Sequence, residues 1–82
     1  MKPTVTVFLR DGCHLCEVAL SRIGALDRDD FVLETVDIDH DDSLLATYLE
    51  RIPVVCLDGE ELYDFEVDVS DLSKRLDAAA AR

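Results

Sequence analysis

Two cysteines stand three positions apart, Cys13 and Cys16, in the stretch RDGCHLCEVALSRI. Such a pair can exchange electrons with a disulfide, supply half of a metal site, or consist of two ordinary buried thiols. A cysteine in the first turn of a helix faces unpaired backbone N–H groups and the positive end of the helix dipole, which favour the thiolate. We therefore predict that Cys13 is the nucleophile. Cys16, within one turn on the same face, would resolve the mixed disulfide.

The neighbours of this pair are candidate substrate-binding residues. His14 could stabilise a thiolate at Cys13 when protonated, although the same dipole disfavours a charged histidine; a solvent-facing side chain is the alternative. Arg10 could attract an anionic thiol, but Asp11 beside it offsets the charge. Leu15 completes the segment between the cysteines. We assign Arg10, His14 and Leu15 to substrate binding.

Metal binding is an alternative that the spacing does not require. The sequence holds no second C-x-x-C that would complete a four-cysteine zinc site. A metal could still be held by Cys13 and Cys16 together with His40 or Cys56, and two inert buried cysteines remain a further alternative. Cys56 itself is predicted to be a small core residue, with an auxiliary redox or metal thiol as the alternative. We predict no metal and no cofactor.

The elements before and after the pair are a strand and a helix. Residues 4–9 (TVTVFL) are β-branched and apolar, as in a strand covered on both faces. A turn at Asp11-Gly12 leads into helical spacing that begins at or beside Cys13 and ends at the acidic loop 27–30. Residues 31–39 (FVLETVDID) alternate with high β-propensity and predict the second strand. The apolar positions of the first helix are Leu15, Val18, Ala19, Ile23 and Leu26.

A second helix is predicted over residues 43–52 (SLLATYLERI). Asp41 or Asp42 would cap it, and Pro53 would stop it. Its apolar face is predicted to consist of Leu44, Leu45, Tyr48, Leu49 and Ile52.

A hairpin follows the second helix. Residues 53–57 (PVVCL) predict a short buried strand, and Asp58-Gly59 is a strong two-residue turn signal. The returning antiparallel strand is predicted over residues 60–67 (EELYDFEV).

The last helix is predicted over residues 68–81, with Asp68 or Ser70 as its cap. The aromatic residues stand at core-type positions, so we predict that they pack in the interior. They are Phe8, Phe31, Tyr48, Tyr63 and Phe65.

The resulting order, β-α-β-α-β-β-α, predicts an α/β fold. A parallel βαβ unit with a right-handed crossover would be followed by an antiparallel hairpin, giving a four-stranded mixed sheet flanked by three helices. Eighty-two residues suit one small core, so we expect residues 1–82 to form a single domain.

The charge and hydropathy of the chain exclude several classes of binding partner. The net charge of −11, from 19 acidic and 8 basic residues, repels phosphate backbones and anionic lipid surfaces. No apolar run approaches the roughly 20 residues that span a bilayer, and the start turns polar too early for a secretory signal. Three cysteines are an odd number, which disfavours a structural disulfide framework. We expect a cytoplasmic monomer without nucleic-acid or membrane partners.

The chain resembles a glutaredoxin-like member of the thioredoxin superfamily. The resemblance rests on the first strand, GCHLC at the head of the first helix, and RIPVV opening the third strand. It implies a thioredoxin-like fold and a cis peptide bond at Ile52-Pro53, opposite the cysteines, where the adjacent backbone pairs with the substrate chain. A simple helix stop before an edge strand is the alternative for Pro53.

The resemblance also implies a small thiol-disulfide oxidoreductase acting on a protein or low-molecular-weight disulfide. Its candidate partners are glutathione, another low-molecular-weight thiol, or a thioredoxin reductase. Two alternatives come from other classes. One is an iron-sulfur or other metal-binding protein, as some glutaredoxins are as dimers, and the other is a catalytically silent interaction module.

Three departures from the family pattern leave the electron donor open. His14-Leu15 replaces Pro-Tyr, and Arg51 and Ile52 replace the first two residues of Thr-Val-Pro. The glycine pair expected before the last helix is missing from DFEVDVSDL. Asp68 is our candidate binding residue at that helix start, where N–H groups can hold a carboxylate, although the neighbouring aspartates repel one.

Overall fold

The computed structural model describes residues 2–81 and has the predicted order of elements. A short 3-10 turn, Ile38–His40, is the one element in these residues that the sequence did not predict. The strands are β1 (Thr4–Leu9), β2 (Val32–Asp37), β3 (Val54–Leu57) and β4 (Glu60–Asp64), and the helices are α1 (His14–Gly24), α2 (Asp42–Tyr48) and α3 (Val69–Ala80).

The four strands form one mixed sheet in the order β2-β1-β3-β4. β2 runs parallel to β1, whereas β3 is antiparallel to both β1 and β4. Phe8 pairs with Val54, which in turn pairs with Asp64. The carboxyl end of β1, the start of β3 and the end of β4 therefore meet at one end of the sheet, which we call the cysteine end because α1 begins there.

Helices cover both faces of the sheet. On one face, Val7 and Val55 belong to a buried cluster that includes Ile23 of α1 and Leu72 of α3. Phe8 points to the opposite face because successive strand side chains alternate. There its ring stacks on Tyr48 of α2, with a centroid distance of 4.3 Å. Burial of each aliphatic side chain contributes about 1.5–3 kcal/mol to the free energy of folding. Packing on both faces therefore stabilises the sheet.

Each helix begins at a side chain that accepts a backbone N–H. Asp41 accepts from Ser43 and Leu44 at the start of α2, and Asp68 accepts from Asp71 at the start of α3. Cys13 fills the same position for α1. The predicted caps Asp41 and Asp68 are thus present, and each satisfies N–H groups that would otherwise lack a partner.

Two predicted elements are longer than the observed ones. β2 ends at Asp37, whose carboxylate accepts the Asp39 N–H and starts the 3-10 turn. α2 ends at Tyr48, whose carbonyl accepts the Arg51 N–H at 2.8 Å. The chain turns there to enter β3, so Leu49 is exposed and our prediction that it lies on the apolar face was wrong.

The predicted fourth strand also stops early, at Asp64. Phe65 follows with a φ of 62°, in the left-handed region that an L-residue strand cannot continue through. Its side chain is 48% exposed, so the prediction that it packs in the core was wrong. The other four aromatic residues are partly buried, as expected.

Within residues 2–81, the helices are too short and too polar to cross a membrane.

Candidate active site

Cys13 and Cys16 are joined by a disulfide at the cysteine end of the sheet. Their Cα atoms lie 5.2 Å apart, within the usual range for such a bond. Cys16 is in the first turn of α1 and is 2% exposed, whereas Cys13 is partly exposed. An incoming molecule can therefore reach the sulfur of Cys13 more readily than that of Cys16.

The backbone places Cys13 where a helix offers its free N–H groups. Gly12, with a φ of 78°, turns the chain out of β1, and Cys13 adopts an extended conformation directly before the helix. The Cys16 N–H then donates to Sγ of Cys13 at 3.2 Å. The same N–H and the helix dipole favour negative charge on that sulfur once the disulfide is reduced.

The loop before β3 reaches the same end of the sheet. The Ile52-Pro53 bond is cis. The Phe65 N–H donates to the carbonyls of Pro53 at 3.0 Å and Arg51 at 3.2 Å, which joins this loop to the one after β4. Among the backbone hydrogen bonds of residues 2–81, none uses the N–H or C=O of Ile52. Those two groups thus have no backbone partner within the described part of the chain.

Two of the predicted substrate-binding residues lie near the pair but differ in their contacts. Arg10 lines a small cavity with both cysteines, and its guanidinium is ion-paired with Asp39 at 3.2 Å. His14 is the first residue of α1 and is exposed. The charge of Arg10 is thus partly compensated before any substrate arrives.

Two further predicted substrate-binding residues, Leu15 and Asp68, differ in exposure and in their partners. Leu15 is 43% exposed and faces the loop after β4 across a second cavity. Asp68 already has a hydrogen-bond partner within the chain, because its Oδ1 accepts the Asp71 N–H at 3.0 Å.

Phe65 is the residue at this site that sequence reasoning missed. It lines the cavity opposite Leu15, next to Glu66 and Val67. The signal was present in the sequence, because this is the segment where the resemblance led us to expect a glycine pair. This segment lacks the expected glycines, yet Phe65 adopts the left-handed φ that glycine favours. The site therefore differs from the family pattern at this segment.

Cys56 does not join the pair. It lies opposite Thr6 in the β1–β3 ladder, one residue from Val55, so its side chain points to the face away from α1. It is a free thiol and 5% exposed. Burial raises the pKa of the Cys56 thiol, which keeps it protonated.

The structure brings neither His40 nor Cys56 to the cysteine pair as a metal site. Across residues 2–81, no three His, Cys, Asp or Glu side chains are grouped so that they could hold a metal ion.

Residues 4–77 match the family described as Glutaredoxin-like domain (DUF836). The chain belongs to this glutaredoxin-like family. It is also 33% identical over 73 residues to uncharacterised proteins of Mycobacterium tuberculosis (strain ATCC 25618 / H37Rv) and Mycobacterium bovis. That match covers 82% of this chain and 75% of each relative.

Solved structures share the fold of this glutaredoxin-like protein. A Nitrosomonas europaea protein solved by NMR is 28% identical, with a TM-score of 0.78 and 92% of both chains covered. A mutant thioredoxin of Halobacterium salinarum is 22% identical, with a TM-score of 0.66 over 94% of this chain and 74% of its own. Fasciola hepatica thioredoxin is 20% identical, with a TM-score of 0.62 over 94% and 80%. The thioredoxin-like fold is therefore confirmed, and with Cys13 and Cys16 it fits a redox role.

Proposed function

We propose that this glutaredoxin-like protein is a thiol-disulfide oxidoreductase in which Cys13 attacks the substrate and Cys16 resolves the intermediate. The observation that carries the proposal is the asymmetry of the pair. Cys13 is partly exposed and its Sγ accepts an N–H from the start of α1, whereas Cys16 is buried. The accessible sulfur is thus also the one whose thiolate the helix favours.

In the reaction, the Cys13 thiolate attacks one sulfur of a substrate disulfide. A bond forms between these two sulfurs, the substrate S–S bond breaks, and the first substrate thiolate leaves and takes up a proton. The Cys16 thiolate then attacks Sγ of Cys13, which releases the second substrate thiolate and forms the Cys13–Cys16 disulfide. Two electrons pass from the cysteine pair to the substrate, and the reverse sequence restores the reduced pair.

Residues around the cysteines support substrate positioning. The unpaired backbone of Ile52 beside Pro53 suits an extended chain carrying the disulfide. Arg10, His14 and Leu15 lie at or beside the pair and complete the proposed surface. We place the exchange in the cytoplasm, because Cys13 must be reduced to attack and thiols are kept reduced there. Glutathione, another low-molecular-weight thiol or a thioredoxin reductase would return the electrons.

A single-turnover experiment tests the proposal without assuming a donor. The protein is reduced, the reductant is removed, and bis(2-hydroxyethyl) disulfide is added. The reaction is then quenched in acid, and the mass of the protein is measured by mass spectrometry. The wild type should become an internal disulfide and release two equivalents of thiol. Cys16→Ser should stop at the mixed disulfide, and Cys13→Ser should not react at either position.

The matched control is Cys56→Ala, which changes the cysteine on the other face of the sheet and should react as the wild type does. A silent interaction module would leave all variants unreacted, which would overturn the proposal. Adducts that form first on Cys16 would also overturn the assigned roles. Steady-state turnover with glutathione, with other small thiols and with a thioredoxin reductase then identifies the donor.

A further inference from the structure

A small apolar groove includes Leu15, which lies between the two cysteines in the chain. Leu15 and Val18 of α1 form one wall, and Phe65 and Val67 of the loop after β4 form the other. The cavity between them is about 110 Å³. Small-molecule pockets are about 300–1,000 Å³, so this groove suits one side chain and not a whole cofactor.

Both walls of the groove carry large apolar side chains that remain exposed. Leu15 is 43% exposed and Phe65 is 48% exposed. A single exposed hydrophobic residue is common on protein surfaces. Two that line the same cavity form an apolar surface whose burial by a ligand is favourable.

Two residues of the groove connect it to the segments of the proposed exchange site, although neither cysteine lines it. Leu15 lies between the two cysteines in the chain, and the Phe65 N–H is bonded to the carbonyl of Pro53. A chain that pairs with the backbone of Ile52 and presents its sulfur to Cys13 therefore passes the mouth of the groove. A side chain next to the substrate cysteine is the group that would enter it.

The charges around the groove are mostly negative. Asp64, Glu66 and Asp68 are exposed in or beside the loop after β4. The carboxylate of Asp68 also takes the N–H that the start of α3 could have offered to a ligand carboxylate. Together these carboxylates disfavour an anionic ligand at this helix start.

The nearby cations compensate this charge only in part. Arg10 is paired with Asp39, and Arg51 is paired with Glu61 and lies 3.8 Å from the carboxylate of Asp64. The lining of the groove itself includes one cation, Arg22, and one anion, Glu66. With a net charge of −11 over the whole chain, an approaching cationic segment is attracted and an anionic one is repelled.

We propose that the substrate is a polypeptide disulfide with an apolar side chain next to the reacting cysteine and a basic residue close by. The inference rests on the exchange proposed above and names its substrate class. The apolar side chain occupies the groove between Leu15 and Phe65, and the basic residue lies against the acidic loop. Glutathione disulfide, which is anionic and lacks an apolar side chain, is disfavoured on both counts.

The test uses the reduced protein in single turnover with four symmetric peptide disulfides. Each peptide has leucine or glycine beside its cysteine, combined with lysine or glutamate as the flanking residue. Glutathione disulfide and bis(2-hydroxyethyl) disulfide complete the set. We expect the leucine-lysine peptide to react fastest, with leucine preferred to glycine by about tenfold, the effect of a filled apolar pocket. The preference for lysine should shrink as salt is added.

Two variants test whether the groove causes the preference for the leucine peptide. In Leu15→Ser and in Phe65→Gly, the ratio of leucine-peptide to glycine-peptide rates should fall toward one. Glycine is chosen at position 65 because it accepts the positive φ there. Leu33→Ser is the matched control, since Leu33 is 42% exposed on β2, at the opposite side of the sheet from β4. It should keep the wild-type ratio.

The outcomes separate this inference from the proposed exchange. If no disulfide is reduced, including bis(2-hydroxyethyl) disulfide, the exchange itself is wrong. If all four peptides react equally, or glutathione disulfide reacts fastest, the exchange stands and the substrate class is wrong. A leucine preference that survives in both groove variants would place the specificity elsewhere and also overturn the inference.

Discussion

The backbone N–H of Cys16 donates a hydrogen bond to Sγ of Cys13 at 3.2 Å. This contact persists when residue 16 is changed, because it uses the backbone. We therefore expect the Cys13 thiol in Cys16→Ser to have an apparent pKa below the value of about 8.5 for a free thiol. The measurement is the rate of iodoacetamide alkylation of Cys13 against pH, resolved by peptide mapping.

The control for this prediction is the same variant unfolded in urea, where the helix is absent. Its midpoint should return to about 8.5. Equal midpoints in the folded and unfolded protein would show that the start of α1 does not activate the thiol.

Phe65 carries a backbone conformation that favours glycine. An L-residue in the left-handed region costs about 1–2 kcal/mol, and glycine loses about 0.4–1 kcal/mol through the greater freedom of its unfolded chain. The first effect is larger, so Phe65→Gly should be more stable than Phe65→Ala by about 0.5–1 kcal/mol. Both variants delete the aromatic ring, so the comparison isolates the backbone. Urea unfolding followed by circular dichroism measures the difference.

The matched control for Phe65 lies in the middle of α3, where φ is negative. At the exposed residue Lys74, alanine should be more stable than glycine by about 1 kcal/mol, the opposite order. If alanine is also the more stable residue at position 65, the loop after β4 does not hold the left-handed conformation.

Local sequence signals predicted most of the elements and the cysteine site. The caps at Asp41 and Asp68, the Asp58-Gly59 turn and the start of α1 at Cys13 each depend on residues within one turn of the feature. Such signals act through contacts that the local sequence alone provides. The predicted sheet followed from the order of these elements.

The exposure of Leu49 and of Phe65 was not predicted. Leu49 is exposed because α2 ends early, in a turn where the Tyr48 carbonyl accepts the Arg51 N–H; a helical pattern that continues past the turn does not show this end. Phe65 is exposed in a loop, where its N–H bonds to the proline loop and its backbone adopts a conformation that its residue type disfavours. That bond joins segments that are brought together only in the folded chain, so no local pattern in the sequence shows it.

Arg28 ties the loop after α1 to α3 through Asp77 and Ser73, and it is also paired with Asp30 within the loop. Its guanidinium contacts Asp30 at 2.6 Å and Asp77 at 2.8 Å, and it donates to the carbonyl of Ser73 at 3.1 Å. Hydrogen bonding to Arg28 holds the pKa of Asp30 below its ordinary value of 3.8. A lowered pKa in the folded state contributes stability above pH 3.8, and this stability is lost as the pH falls through the folded-state pKa.

We therefore expect Asp30→Asn to be less stable than the wild type at pH 7 and to lose less stability than the wild type on acidification. Urea midpoints at pH 7 and near pH 3 measure both effects. The exposed neighbour Asp29 provides the control, since Asp29→Asn should leave both midpoints close to the wild type. Parallel pH profiles for the wild type and Asp30→Asn would exclude this ion pair as a source of acid sensitivity.

Cys56 should behave as a packing residue that does not take part in exchange. It is 5% exposed on the face of the sheet away from α1, and burial raises the pKa of its thiol. In the reduced native protein, iodoacetamide should label Cys13 and leave Cys56 unmodified until urea unfolds the chain. Cys56→Ala should keep the wild-type exchange rate. Cys56→Ser should be less stable than Cys56→Ala by about 1–3 kcal/mol, because the serine hydroxyl would be buried without a hydrogen-bond partner. Native labelling of Cys56 at the rate seen in urea would contradict its burial, and loss of exchange in a folded Cys56→Ala variant would make it part of the site.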